Sequence, residues 1–166
     1  EFYEYIRLHR YIADLLLKNG EPARAAAYYR RLVAERPQDA EAQRELAYAL
    51  GLAGDTTAAL EHYQQALAMG ASSLVLHYDL ANLLLDSGDY ERAEKHYQRA
   101  IELDPNYAPA FNNLGTTLAI QNYFARAITQ FERSLALDPN YAQARANLDA
   151  ARTALQSSTE EGGRRP

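Results

Sequence analysis

Residues 80–105 read LANLLLDSGDYERAEKHYQRAIELDP, and residues 114–139, 34 positions later, read LGTTLAIQNYFARAITQFERSLALDP. The two stretches align without a gap, and so do two earlier copies, in phase from Ile6 and Ala40. One column runs Ile12, Leu46, Leu80, Leu114, and the next Ala13, Ala47, Ala81, Gly115. Further columns are Gly20, Gly54, Gly88, Asn122; Ala25, Ala59, Ala93, Ala127; Tyr29, Tyr63, Tyr97, Phe131; and Pro37, Ala71, Pro105, Pro139. A fixed period of this size marks a solenoid, in which no unit buries its apolar face alone and stacking makes the core.

Each unit has two apolar-periodic stretches, each long enough for a helix, on either side of a break. The break residues tolerate the left-handed conformation that ends a helix. The two small columns permit close helix approach, the aromatic column wedges between helices, and the prolines stop one unit and set the next. Helices are predicted at 3–19, 22–35, 40–53, 56–69, 74–87, 90–103, 108–121 and 124–137. Pro22 suits a first helical turn, and Asp55 and Asp89 suit N-caps. A ninth helix is predicted over 142–155, with Ala144, Leu148, Ala151 and Leu155 on one face and Gln143, Arg145, Asp149 and Arg152 on the other, as a terminal cap requires.

These residues resemble the tetratricopeptide repeat family. The match is best at Phe111-Asn-Asn-Leu114-Gly115, followed by Tyr123-Phe124, Ala127, Phe131 and Leu137-Asp-Pro139. It is nearly as good at Leu80-Ala81, Gly88-Asp-Tyr90, Ala93, Tyr97 and Leu103-Asp-Pro105. His9, Gln43 and His77 depart from the large aromatic that Phe111 supplies, Ala71 from the proline and Asn122 from the glycine. The resemblance implies an all-α, right-handed α-solenoid superhelix of antiparallel helix pairs. It organises the chain as one domain over 1–155, with repeats 6–39, 40–73, 74–107 and 108–141, the cap over 142–155, and a flexible polar tail over 156–166.

Composition narrows the partners. The 166 residues are 48% hydrophobic and carry a net charge of −5, which argues against nucleic acid or an anionic membrane as the main partner. Cysteine is absent, so disulfides and thiolate metal sites are excluded. No transmembrane run or signal peptide is legible, which favours the cytoplasm, while a chain beginning at Glu1 leaves room for a trimmed targeting segment. At the N-terminal end Phe2, Tyr3, Tyr5, Ile6 and Leu8 are apolar. They are read either as an extended first helix packing within its own fold or as an open end that takes an upstream repeat or another copy.

Little suggests catalysis. His9, His62, His77 and His96 have no metal-ligand spacing. His9 and His77 fit packing between helices. His62 and His96 share a column that allows mutual approach, and solvated side chains are expected there. No phosphate loop or nucleophile elbow appears, and neither a metal nor an organic cofactor is expected. The resemblance implies instead a concave groove lined by the first helix of each repeat. Carried over by phase, the candidate peptide-binding residues are Arg10, Arg44, Tyr48, Tyr78, Asn82, Asn112, Asn113 and Asn147. Some members of the family clamp a C-terminal carboxylate with Lys, Arg and Asn at set places; here those places hold Arg10, Asp14, Glu45, Val75 and Asp79 in one frame, Arg44, Tyr48, Asp79, Pro109 and Asn113 in the next, and no cation in the last, so the clamp is absent. Asn113 and Asn147 match the family's asparagine ladders, whose amides can pair a peptide backbone without reading side chains. The expected function is a non-catalytic scaffold for a protein or peptide. The alternative is a substrate-recognition domain of a larger enzyme such as a glycosyltransferase. The tail from Ser157 is one candidate occupant of a groove.

Overall fold

The computed structural model describes residues 2–162. Among them are nine helices and no strand: α1 (Phe2–Lys18), α2 (Pro22–Glu35), α3 (Ala40–Leu52), α4 (Thr56–Ala68), α5 (Leu74–Asp86), α6 (Tyr90–Leu103), α7 (Ala108–Ile120), α8 (Phe124–Leu137) and α9 (Ala142–Gly162). Through α8 the bounds lie within one residue of those predicted. The chemistry of the turns explains this. Gly20, Gly54 and Gly88 have φ of 73°, 87° and 82°, and Asn122 replaces them at 64°. Each sits in the same double closure: Gly88 N–H donates to Leu85 O and Asp89 N–H to Leu84 O, satisfying carbonyls that the helix end leaves open. Asp55 and Asp89 cap α4 and α6 as predicted, and Asp39 and Ser73 also cap α3 and α5.

The second kind of junction takes two forms. Arg36, Asp104 and Asp138 precede prolines and end their helices outside the helical region, Asp104 and Asp138 in extended conformations, as clash with the proline ring demands. After α4 no proline follows, so Gly70 turns left-handed at φ 80° and Ala71 N–H bonds Ala66 O. Just beyond it the chain divides into two compact units, 1–72 and 73–166.

In the first unit α2 packs on α1 and on α3, and α3 on α4. In the second, α5 pairs with α6, α6 packs on α7, α7 pairs with α8, and α9 lies against α8 and α7. The alanine column Ala25, Ala59, Ala93, Ala127 is fully buried, as are Tyr29, Tyr63, Tyr97 and Phe131 to within 1%. The fourth aromatic seats differently. A Cβ added at Gly115 would lie 2.6 Å from Phe131 Cε1, so the ring occupies the space that Ala13, Ala47 and Ala81 fill in the other repeats.

The last helix corrects the predicted tail, for α9 runs on to Gly162 instead of ending at Leu155. Neither glycine nor proline interrupts 142–161, and the serines and threonines that read as loop residues bond the helix carbonyls. Ser157 Oγ donates to Thr153 O, Ser158 Oγ to Leu155 O and Thr159 Oγ1 to Gln156 O. Ser157–Gly162 is therefore helix and not an extended groove occupant. The rest of the predicted tail, and the Phe2 and Tyr3 side chains, lie outside what is described.

Candidate peptide-binding site

The asparagines of α5, α7 and α9 form one connected chain of amides. Asn147 Nδ2 donates to Asn112 Oδ1 at 3.0 Å, Asn112 Nδ2 to Asn113 Oδ1 at 3.0 Å, and Asn113 Nδ2 to Asn82 Oδ1 at 2.9 Å and to the Tyr78 hydroxyl at 3.0 Å. Tyr97, from α6, adds its hydroxyl to the same Asn82 oxygen at 2.6 Å. Every Asn orientation in the chain is set by its neighbours' donors and acceptors. The helical phase puts these positions on one face, and the 34-residue period brings successive copies within reach.

The chain changes the roles expected of its members. Asn112 is fully buried, so it orients Asn113 and Asn147 and has no surface for a ligand, which corrects its reading as a contact residue. Asn113 spends its donors and its acceptor inside the network. Asn82 and Asn147 stand at the two ends of this chain, where Asn82 accepts from Asn113 and Tyr97 and Asn147 donates to Asn112. Tyr78 is half-buried, edge-on to Tyr107 at 5.1 Å between centroids, and burial pushes its hydroxyl up to about 12. It stays protonated at neutral pH, so the face is uncharged at each of these positions.

Beside Asn147 lies an apolar cleft of about 310 Å³ lined by Thr116, Ala119, Ile120, Phe124, Phe131 and the α9 alanines Ala150, Ala151 and Ala154. The sequence reading missed it, although its signal is a comparison between repeats. In the third repeat Leu85 stands where Ala119 does, Ile120 stands in the column of Ala154, and Tyr97 reaches Asn82 where Phe131 has no hydroxyl to reach Thr116. The same tyrosine bond occurs in the first repeat, Tyr29 to Asp14 at 2.6 Å, with both groups 15 residues apart as in Tyr97–Asn82.

Arg10, Arg44 and Tyr48 belong to the first unit. Arg10 Nε donates to Glu45 at 2.9 Å and lies 4.0 Å from Asp39. Arg44 grips Glu41, with its shortest bond 2.6 Å. Both cations are thus engaged by neighbouring carboxylates. Burial pushes Glu45 up to about 7 despite the opposing pull of Arg10. Tyr48 is 38% exposed.

The histidines are packed, not solvated. His62 and His96 each bond a residue 19 positions earlier in their own unit. His62 Nδ1 lies 2.6 Å from Gln43 Oε1, whose amide in turn donates to Pro37 O. His96 Nδ1 lies 2.9 Å from His77 Nδ1, so one imidazole donates and the other accepts. Burial, then the neighbouring His77, pushes His96 down to about 4. Among the described residues no group of three or more His, Asp or Glu could hold a metal, and no helix is long and apolar enough to cross a membrane.

Helix hairpins repeated in register, with an amide-lined face, define an all-α solenoid of the kind that binds other proteins. The tetratricopeptide repeat model matches residues 12–73 and 78–142, and the chain belongs to that family. Solved structures agree. MamA is 21% identical, with a TM-score of 0.81 over 95% of this chain and 86% of that one. PilF of Pseudomonas aeruginosa is 22% identical, with a TM-score of 0.82 over 93% and 70%. YrrB, described as a TPR protein with an unusual peptide-binding site, is 25% identical, with a TM-score of 0.75 over 89% and 76%. No curated protein matches the sequence.

Proposed function

We propose that the chain is a non-catalytic interaction scaffold whose second unit holds an extended segment of a partner protein across α5, α7 and α9. The observation that carries this reading is the connected amide chain itself, which brings Asn82, Asn113 and Asn147 to one face of the second unit. A peptide bond offers one acceptor and one donor, and a primary amide can pair with both. The cleft beside Asn147 takes an apolar side chain of the same segment. Arg10 and Arg44 must leave Glu45 and Glu41 to reach an acidic group, so their attraction for acidic partners is weaker than their charges imply. The likeness to YrrB, a TPR protein with an unusual peptide-binding site, supports the reading.

Each neutral hydrogen bond contributes about 0.5–1.5 kcal/mol net, so affinity is expected on the order of micromolar. The test selects short peptides from a random library and titrates them into variants. Asn82→Asp keeps the oxygen that Tyr97 and Asn113 need while removing the amide donor. Ala119→Leu restores the third-repeat residue and fills the cleft. Each should weaken binding about tenfold. Peptides that bind both variants like wild type, yet fail with Arg126→Ala on the exposed side of α8, would place the site elsewhere.

A further inference from the structure

The exposed face of α1 carries an apolar stripe at helical spacing. Leu8 is 55% exposed, Tyr11 60% and Leu15 40%. The repeat shows what this face does elsewhere. The counterparts of Leu8 in α3, α7 and α9 are Ala42, Ala110 and Ala144, all fully buried. Those of Leu15 are Ala49, Thr117 and Ala151, buried to within 3%. In those helices the face lies against a preceding helix pair. Among the described residues nothing lies on it in α1, which instead borders a shallow depression of about 600 Å³ lined by Glu4, Arg7, Leu8, Arg10, Tyr11 and Asp14.

The charges around the stripe select the occupant. Its N-terminal half carries Glu4 and Arg7, and its C-terminal half Asp14 and Lys18. Among the described residues Glu4, Arg7 and Lys18 have no ion-pair partner, and Asp14 accepts only the Tyr29 hydroxyl. A second α1 laid antiparallel brings Glu4 to Lys18, Arg7 to Asp14 and Leu8 to Leu15, each pairing occurring twice, with Tyr11 near the axis. A parallel arrangement would set Glu4 on Glu4 and Lys18 on Lys18. The far end of another copy does not fit either, because the open face of α9 carries Arg145, Asp149 and Arg152.

We propose that this face is a self-complementary interface through which two copies of the chain pair by antiparallel α1–α1 contact. The symmetry is twofold and closed, so association stops at the dimer. One helix of 17 residues covers less than a standard interface of about 1,600 Å², so the dimer is weak, with dissociation on the order of micromolar.

Sedimentation equilibrium of the intact chain tests this, with circular dichroism as the check on folding. Wild type should titrate from monomer to dimer and no further. Leu8→Glu and Leu15→Glu should each weaken the dimer by at least about a hundredfold, since each substitution acts twice. Glu4→Lys and Lys18→Glu should each weaken it, and the double swap should restore it. The chain has no cysteine, so orientation is read by oxidising a mixture of Leu8→Cys and Leu15→Cys chains. Antiparallel pairing gives the mixed disulfide. A monomer throughout, a dimer indifferent to Leu8→Glu and Leu15→Glu, or like-with-like disulfides would overturn the proposal.

Discussion

At the scale of residues, two sites show how a buried position controls an exposed one. Asn112 has no exposed surface, yet it accepts from Asn147 and donates to Asn113. Asn112→Ala would strand a donor and an acceptor in a half-buried network, at a cost of about 1–3 kcal/mol. Urea denaturation should show the midpoint falling by that equivalent, and an unchanged midpoint would mean water replaces the amide without loss. The Phe131–Gly115 pair is the second site. Three repeats pair a tyrosine with an alanine and the fourth a phenylalanine with a glycine. Gly115→Ala alone forces the added methyl against the Phe131 ring, costing about 1–3 kcal/mol. Phe131→Tyr gives the ring a hydroxyl aimed at Thr116 and moves it toward the position seen in the other repeats. The double variant should therefore be more stable than the sum of the single changes, by a coupling of about 0.5 kcal/mol or more. Additivity in a double-mutant cycle would show that the fourth ring sits deep for some other reason.

Between helices, α1 and α3 are tied by Arg10 and Glu45, and the tie titrates. The Glu45 carboxyl has a folded value near 7 against an ordinary 4.5, with burial as the largest cause. A folded state that binds a proton more readily than the unfolded chain is favoured below the folded value. Its advantage is fully present below about 4.5 and is lost as pH rises through about 7. The Glu45 contribution should thus strengthen the first unit on moving from about pH 8 to about pH 5. Comparison of wild type with Glu45→Gln by thermal denaturation isolates it, because the variant should lack this part of the pH response. A wild type and variant that respond alike would place the proton elsewhere. Elements of this kind were legible wherever a local rule acts. Gly88 and Pro105 mark their turns in any context, and eight helices followed from them. The end of α9 was not, because Ser157, Ser158 and Thr159 have loop-like composition but satisfy helix carbonyls locally. The site was legible by column and not by role. Phase put Asn82, Asn113 and Asn147 on one face, whereas the direction of each amide, the burial of Asn112 and the pairing of Arg10 with Glu45 depend on neighbours a repeat away. The cleft was hidden for a further reason, since it arises from what Ala119, Ala154 and Phe131 lack.

For the whole molecule the governing problem is how a solenoid ends. Three columns that are buried or half-buried along α1, α3, α5 and α7 turn charged in α9. Arg145 replaces the column of His9 and Phe111, Asp149 that of Ala13 and Gly115, and Arg152 that of Leu16 and Leu118. These are the positions against which a second helix would pack, and charging them closes the stack. Arg152 is further held by Glu132 at 2.8 Å, and Arg145 by the Pro139 carbonyl. α1 and α9 are therefore unequal, with an apolar stripe on the one and a charged face on the other. Asp149→Ala/Arg152→Leu would restore the repeat's own residues and leave an apolar face with nothing to cover it, which solenoid caps exist to prevent. An apolar α9 face and the dissimilar apolar stripe on α1 together permit head-to-tail contacts, which do not close. The double variant should form species larger than a dimer, with size growing with concentration in sedimentation velocity, while keeping wild-type helicity. Adding Leu8→Glu should suppress that growth if the α1 stripe receives the new face. Growth that persists with Leu8→Glu would mean that α9 faces pair with one another, and an unchanged size distribution would mean that the charges on α9 are not what ends the stack.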